Sequence, residues 1–120
     1  MPKVKKAYEH VAMVLCDPTH DHRRTLLTAL FTEPFRSIKD ISELAVMRDI
    51  TQKTVPDLIV IDLNLPDSST SELINDVRSG NLGMNTFISI IAVTWDADME
   101  SVKPAVDAGV DDLFGRTAIG

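Results

Sequence analysis

Pro56-Asp57-Leu58-Ile59-Val60-Ile61-Asp62-Leu63-Asn64-Leu65-Pro66 decides how the rest of the chain is read. Leu58 to Ile61 is an unbroken apolar run, mostly β-branched, that ends on the carboxylate of Asp62. The run is too short for a helix and too apolar for a strand with one wet face, so it predicts a strand buried on both faces. Burying a charge costs several kcal/mol unless it is paired or bound, so a carboxylate at the end of such a strand is not explained by packing. In open parallel sheets, ligands bind at the carboxyl ends of the strands. Asp62 occupies that place, and Pro66 prevents the chain from continuing as a central strand.

Around this stretch, 120 residues suffice for one domain with a real core. Hydrophobic residues at 44% and charged residues at 25% match an ordinary globular protein. The formal net charge of −6, with basic residues bunched only at Lys3, Lys5 and Lys6, argues against a nucleic-acid surface. A single cysteine excludes an internal disulfide framework and suits a reducing, cytoplasmic setting. No apolar run approaches the roughly 20 residues of a membrane span, and the N-terminus lacks the apolar core of a signal peptide.

Met1–His10 reads as a polar, basic arm, and residues 11–120 as the domain proper. Residues 11–16 (VAMVLC) form a second apolar run and predict a strand. Asp17-Pro18 then suggests a helix cap followed by proline in the first turn, with Leu26, Leu27, Ala29, Leu30 and Phe31 facing inward. A weak edge strand is expected near 35–39. A capping box at Asp40-Ile41-Ser42-Glu43 is expected to open a short helix with Ile41, Leu44, Ala45 and Ile50 inward. After the central strand, Ser69-Thr70-Ser71-Glu72 caps a helix with Leu73, Ile74 and Val77 inward and Gly80 just past its end. Residues 87–93 (FISIIAV) predict a fourth strand ending at Thr94. A helix short or kinked at Pro104 then stops at Gly109, and a last strand spans 112–115.

Strands alternating with helices predict a parallel α/β sheet covered on both faces, with right-handed crossovers. The expected architecture is a flavodoxin-like, doubly wound sheet of five strands in the order 2-1-3-4-5. That order brings Asp17, Asp62, Thr94 and Arg116 to one crevice. A carboxylate nucleophile beside a hydroxyl and a cation is a set able to accept and hold a phosphoryl group. Spacing alone is equally satisfied by a structural Asp–Arg pair beside a strand-end threonine.

Residues 11–117 resemble the receiver domain of two-component response regulators, the fold of the chemotaxis signalling protein. The resemblance rests on the 56–66 stretch, on Ala92-Val93-Thr94 and on Ala108-Gly109-Val110-Asp111-Asp112-Leu113. It implies that Asp62 accepts phosphate from a histidine kinase or phosphotransfer protein, that Thr94 and Arg116 assist, and that the protein is not otherwise an enzyme. It also implies a magnesium ion held by acidic residues near Asp62, with Asn64 offering its backbone carbonyl. Aligning Pro18 with the family's usual proline puts Leu15 and Cys16 where two metal-binding acids are expected. Asp17 falls just after them, a weakened metal ligand expected to cap the helix. The family's lysine is Arg116, its following proline is Thr117, and Trp95 stands where a small residue is usual.

These departures leave a second reading, a phosphorylation-independent pseudo-receiver that acts as a protein-binding module. Asp62-Leu63-Asn64 is also similar to the catalytic loop of haloacid-dehalogenase-type phosphatases, with Thr94, Arg116 and Asp111/Asp112 in analogous places. That enzyme reading requires a second acid at position 64, where there is an amide. Cys16, His20 and His22 can be drawn as a metal site. However, His20 and His22 cannot share a helix face, so a buried thiol and two solvated histidines are expected. Finally, the resemblance implies a fifth helix that this chain lacks. An apolar face on the order of several hundred Å² beside the first helix and strands one, three and five is then expected. A second copy in an isologous homodimer is expected to cover it, ahead of two alternatives, a chain that continues past residue 120 or the Met1–His10 arm folded over it.

Overall fold

The computed structural model describes residues 10–30, 37–54, 56–63, 70–83, 85–94 and 99–115. Five strands alternate with four helices: β1 (Ala12–Cys16), α1 (His20–Leu30), β2 (Ser37–Ile41), α2 (Leu44–Thr54), β3 (Leu58–Asp62), α3 (Thr70–Ser79), β4 (Ser89–Thr94), α4 (Met99–Ala108) and β5 (Asp112–Gly115). All neighbouring strands are parallel, in the order β2-β1-β3-β4-β5, as the alternating pattern predicts. The three inner strands carry the apolar runs because each is covered on both faces.

Side-chain alternation divides the core in two. Val14, Cys16, Ile59, Ile61, Ile90 and Ala92 pack toward α2, α3 and α4, where Met47, Leu73, Ile74, Val77 and Ala105 meet them. On the opposite face Met13, Leu15, Val60 and Val93 pack with Leu26 and Leu27 of α1. Among the described residues α1 is the helix on that side. The bare face expected there is not found on strands one and three: Met13, Leu15 and Val60 are at most 6% exposed. Apolar exposure on that side falls on β5, where Phe114 is 52% exposed.

Several local expectations shift. The first intrahelical bond of α1 runs from Arg23 N–H to the Thr19 carbonyl, so Thr19 is the cap residue and not Asp17. Ile41 ends β2 instead of opening α2, whose first bond runs from Met47 N–H to the Glu43 carbonyl. Met47 and Thr51 are buried on α2, whereas Ala45 is exposed. Phe87 precedes β4 and is exposed, with Ile88 buried in its place. Pro104 lies inside α4 on its exposed side, and the helix continues through it. The α3 reading holds: Leu73, Ile74 and Val77 are buried, and Gly80 follows with φ 84°.

Arg78, near the end of α3, ties the far half of the sheet together. Its guanidinium donates to the carbonyls of Gly109, Thr86 and Ile88 at 2.9, 2.9 and 2.7 Å and to Asp111 Oδ2 at 2.8 Å. Asp111 in turn accepts from Ile90 N–H, so one side-chain network sets where β4 begins and where β5 follows.

Candidate functional site

The parallel register builds the site. Cys16 pairs with Ile61 and Asp62 pairs with Val93. One step beyond its last paired residue, β1 brings Asp17 opposite Asp62. In-register partners on parallel strands point to the same face, and alternation from Leu15 and Val60 directs both carboxylates toward the α1 side. Thr94 ends β4, one residue past the partner of Asp62. All three lie at the carboxyl edge of the sheet and are buried: Asp17 is 0%, Asp62 4% and Thr94 2% exposed.

Asp17 is held on every side. Its N–H donates to the Ile41 carbonyl at 3.0 Å, and its carbonyl accepts from Arg23 Nη1 at 2.8 Å. Its Oδ1 accepts from Thr19 N–H at 2.9 Å, while Oδ2 lies 3.5 Å from His22 Nδ1. Arg23 is itself paired with Asp40 at 2.9 Å, which ties the start of α1 to β2. Asp17 therefore orders the turn into α1 and also lies in the crevice. Leu15 and Cys16, the positions aligned with the family's metal-binding acids, do not face the crevice. Leu15 is wholly buried toward α1, and Cys16 is wholly buried on the opposite face.

Asp62 is anchored through its backbone, whose carbonyl accepts from the Thr70 hydroxyl at 3.1 Å. The next residue, Leu63, donates its N–H to the Val93 carbonyl at 2.9 Å. The strand end is thus fastened both to β4 and to the first turn of α3.

His22 is the site residue that sequence reasoning missed. One ligand atom from each of Asp17, His22 and Asp62 lies within 4.8 Å of the others. Its side chain is 30% exposed, which corrects the expectation of a solvated histidine, whereas His20 is exposed and outside the cluster. The signal was present: His22 is four residues before Leu26, so it continues the inward stripe of α1 toward the sheet's carboxyl edge. Cys16 does not join this cluster.

Asn64, Trp95, Arg116 and Thr117 lie outside the described residues, as do residues 1–9 of the arm. The two carboxylates fit a divalent cation. The imidazole in third place does not fit magnesium, which prefers an all-oxygen, near-octahedral shell. No helix among the described residues is long and apolar enough to cross a membrane.

Residues 13–116 match the family described as response regulator receiver domain. The chain is 30% identical over 95 residues, 78% of its length, to the KDP operon transcriptional regulatory protein KdpE of Escherichia coli (strain K12), and spans 39% of that protein. The receiver domain of the histidine kinase CKI1 from Arabidopsis thaliana, complexed with Mg2+ and BeF3-, superposes with a TM-score of 0.70. That match has 15% identity and covers 91% of this chain and 83% of that one. A response regulator protein from Burkholderia pseudomallei, with a phosphorylated aspartic acid, calcium ion and citrate, gives a TM-score of 0.71. Identity there is 17%, with 86% of this chain and 58% of that one covered. Such low identities speak for the fold alone, but the family match spans nearly the whole chain and agrees with the carboxylate-ended central strand. The chain belongs to the response regulator receiver domain family.

Proposed function

We propose that this receiver domain accepts a phosphoryl group on Asp62 from a phosphohistidine of a histidine kinase or phosphotransfer protein. The observation that carries the reading is the placement of Asp62. It ends the central strand, is 4% exposed, and has Asp17 within the same small cluster. In the step proposed, an Asp62 carboxylate oxygen attacks phosphorus, an O–P bond forms and the P–N bond breaks. The departing imidazole keeps the electron pair and takes a proton. Thr70 and the Leu63–Val93 bond keep the strand end fixed, so little ordering remains to be done when the donor arrives. Thr94 and Arg116 are assigned to the phosphoryl oxygens, and no turnover of a separate small substrate is expected. A divalent cation, when bound, would offset charge on the phosphoryl oxygens; Asp17, Asp62 and the backbone carbonyl of Asn64 are the assigned ligands.

Incubation with acetyl phosphate, read on a phosphate-affinity gel, tests this. One phosphoryl group per chain is expected in the wild type and none in Asp62→Asn. The second reading, a phosphorylation-independent binding module, is favoured by the imidazole among the acids and predicts no incorporation. A second copy of the chain packing beside Phe114 is a further expectation, checked by sedimentation at micromolar concentration.

A further inference from the structure

We infer that Asp17, His22 and Asp62 form a mixed nitrogen–oxygen site that takes a first-row transition-metal dication such as Mn2+ in preference to Mg2+. Three side chains converge, from the turn after β1, the end of β3 and α1, and both carboxylates are nearly sealed from solvent, at 0% and 4% exposed. Bringing two buried carboxylates to one point is favourable with a cation between them. The Thr19 N–H occupies Oδ1 of Asp17 and so orients the carboxylate with Oδ2 toward His22, the kind of outer contact that fixes a ligand's direction. Two ligands on one such ion sit at most about 4.4 Å apart. The three ligand atoms lie within 4.8 Å of one another, so small side-chain rotations bring them onto one ion.

The third ligand decides the metal. Imidazole suits zinc, copper, iron and nickel, and manganese, itself at home among oxygen ligands, accepts a nitrogen more readily than magnesium, which holds oxygen ligands and water. His22 is the third residue of α1, so its ring is carried by a helix and not by an adaptable loop. The site is independent of phosphorylation: it concerns the resting protein, and its test uses no phosphodonor, so the two proposals can fail separately.

Calorimetric titration of the full chain with MnCl2 and with MgCl2, together with pulsed EPR of the Mn2+-loaded protein, tests the assignment. Any site of this kind favours manganese somewhat, so the diagnostic readouts are nitrogen coupling and its dependence on His22. One Mn2+ per chain is expected, bound more tightly than Mg2+, with 14N modulation from one imidazole. His22→Asp should remove the modulation and narrow the preference about tenfold or more by strengthening Mg2+ binding; His20→Gln should change neither. Asp62→Asn should weaken Mn2+ at least about tenfold. Absence of 14N coupling in the wild type, or a metal preference unaltered in His22→Asp, overturns the assignment. If His22→Asp does not fold, the wild-type spectrum decides alone.

Discussion

The Thr70 hydroxyl donates to the main-chain carbonyl of Asp62 across 3.1 Å, and both residues are buried. The first turn of α3 is therefore fastened to the backbone of the residue that the account makes the phosphoacceptor. Thr70→Val keeps the shape and leaves that carbonyl without its donor. A loss of about 1–2 kcal/mol in urea unfolding is expected, with slower phosphorylation at unchanged stoichiometry.

Leu15 and Cys16 stand inside the two cores, not at the crevice. Replacing either by Asp buries an unpaired charge and is expected to destabilise the fold by about 3 kcal/mol or more without improving magnesium binding. Urea denaturation and metal titration of Leu15→Asp and Cys16→Asp check both halves of this prediction. A folded variant with stronger magnesium binding would contradict this placement of the two side chains.

The guanidinium of Arg78 satisfies three carbonyls and a carboxylate that otherwise have to be shared among loop and strand ends. Arg78→Ala is expected to cost about 2–4 kcal/mol in equilibrium unfolding. Arg78→Lys should recover only a minor part, because one ammonium cannot reproduce the planar fork.

Gly109 closes α4 at φ 113°, and a Cβ there would approach Arg78 Cγ to 3.2 Å. Gly80 closes α3 at φ 84°, where the nearest atom would be Thr86 Cγ2 at 3.7 Å. Both alanine variants bear backbone strain, but only Gly109→Ala also presses on the arginine network. Its melting temperature should fall further, with a loss of about 1–3 kcal/mol against about 1 for Gly80→Ala.

The sheet was legible because buried parallel strands are short, continuous apolar runs. Leu58–Asp62 and residues 11–16 could be read from composition alone, and Leu73, Ile74 and Val77 from helical spacing ahead of Gly80. Edges were less legible. β2 has one buried residue, Ile41, so its sequence carries little pattern and Ile41 reads equally as the start of the following helix. Phe87 reads as a strand residue by propensity, yet it lies before the first paired position, Ser89. At the site, Asp62 was evident as a charge ending an apolar run. Asp17 is legible as a strand-end acid, but that it stands opposite Asp62 follows from the β1–β3 register, a long-range property that local sequence does not carry. For His22 the informative relation is to Leu26 along the same helix face, not to its neighbour His20.

The measurement that bears most directly on the central claim is the chemical location of the phosphoryl group. The protein is incubated with acetyl phosphate in the presence of Mn2+ and, separately, Mg2+, then reduced with borohydride, which converts an aspartyl phosphate to homoserine. Peptide mass spectrometry is expected to find homoserine at position 62 in the wild type and nowhere in Asp62→Asn. No homoserine with either metal, or homoserine at another carboxylate with Asp62 unmodified, would contradict the account.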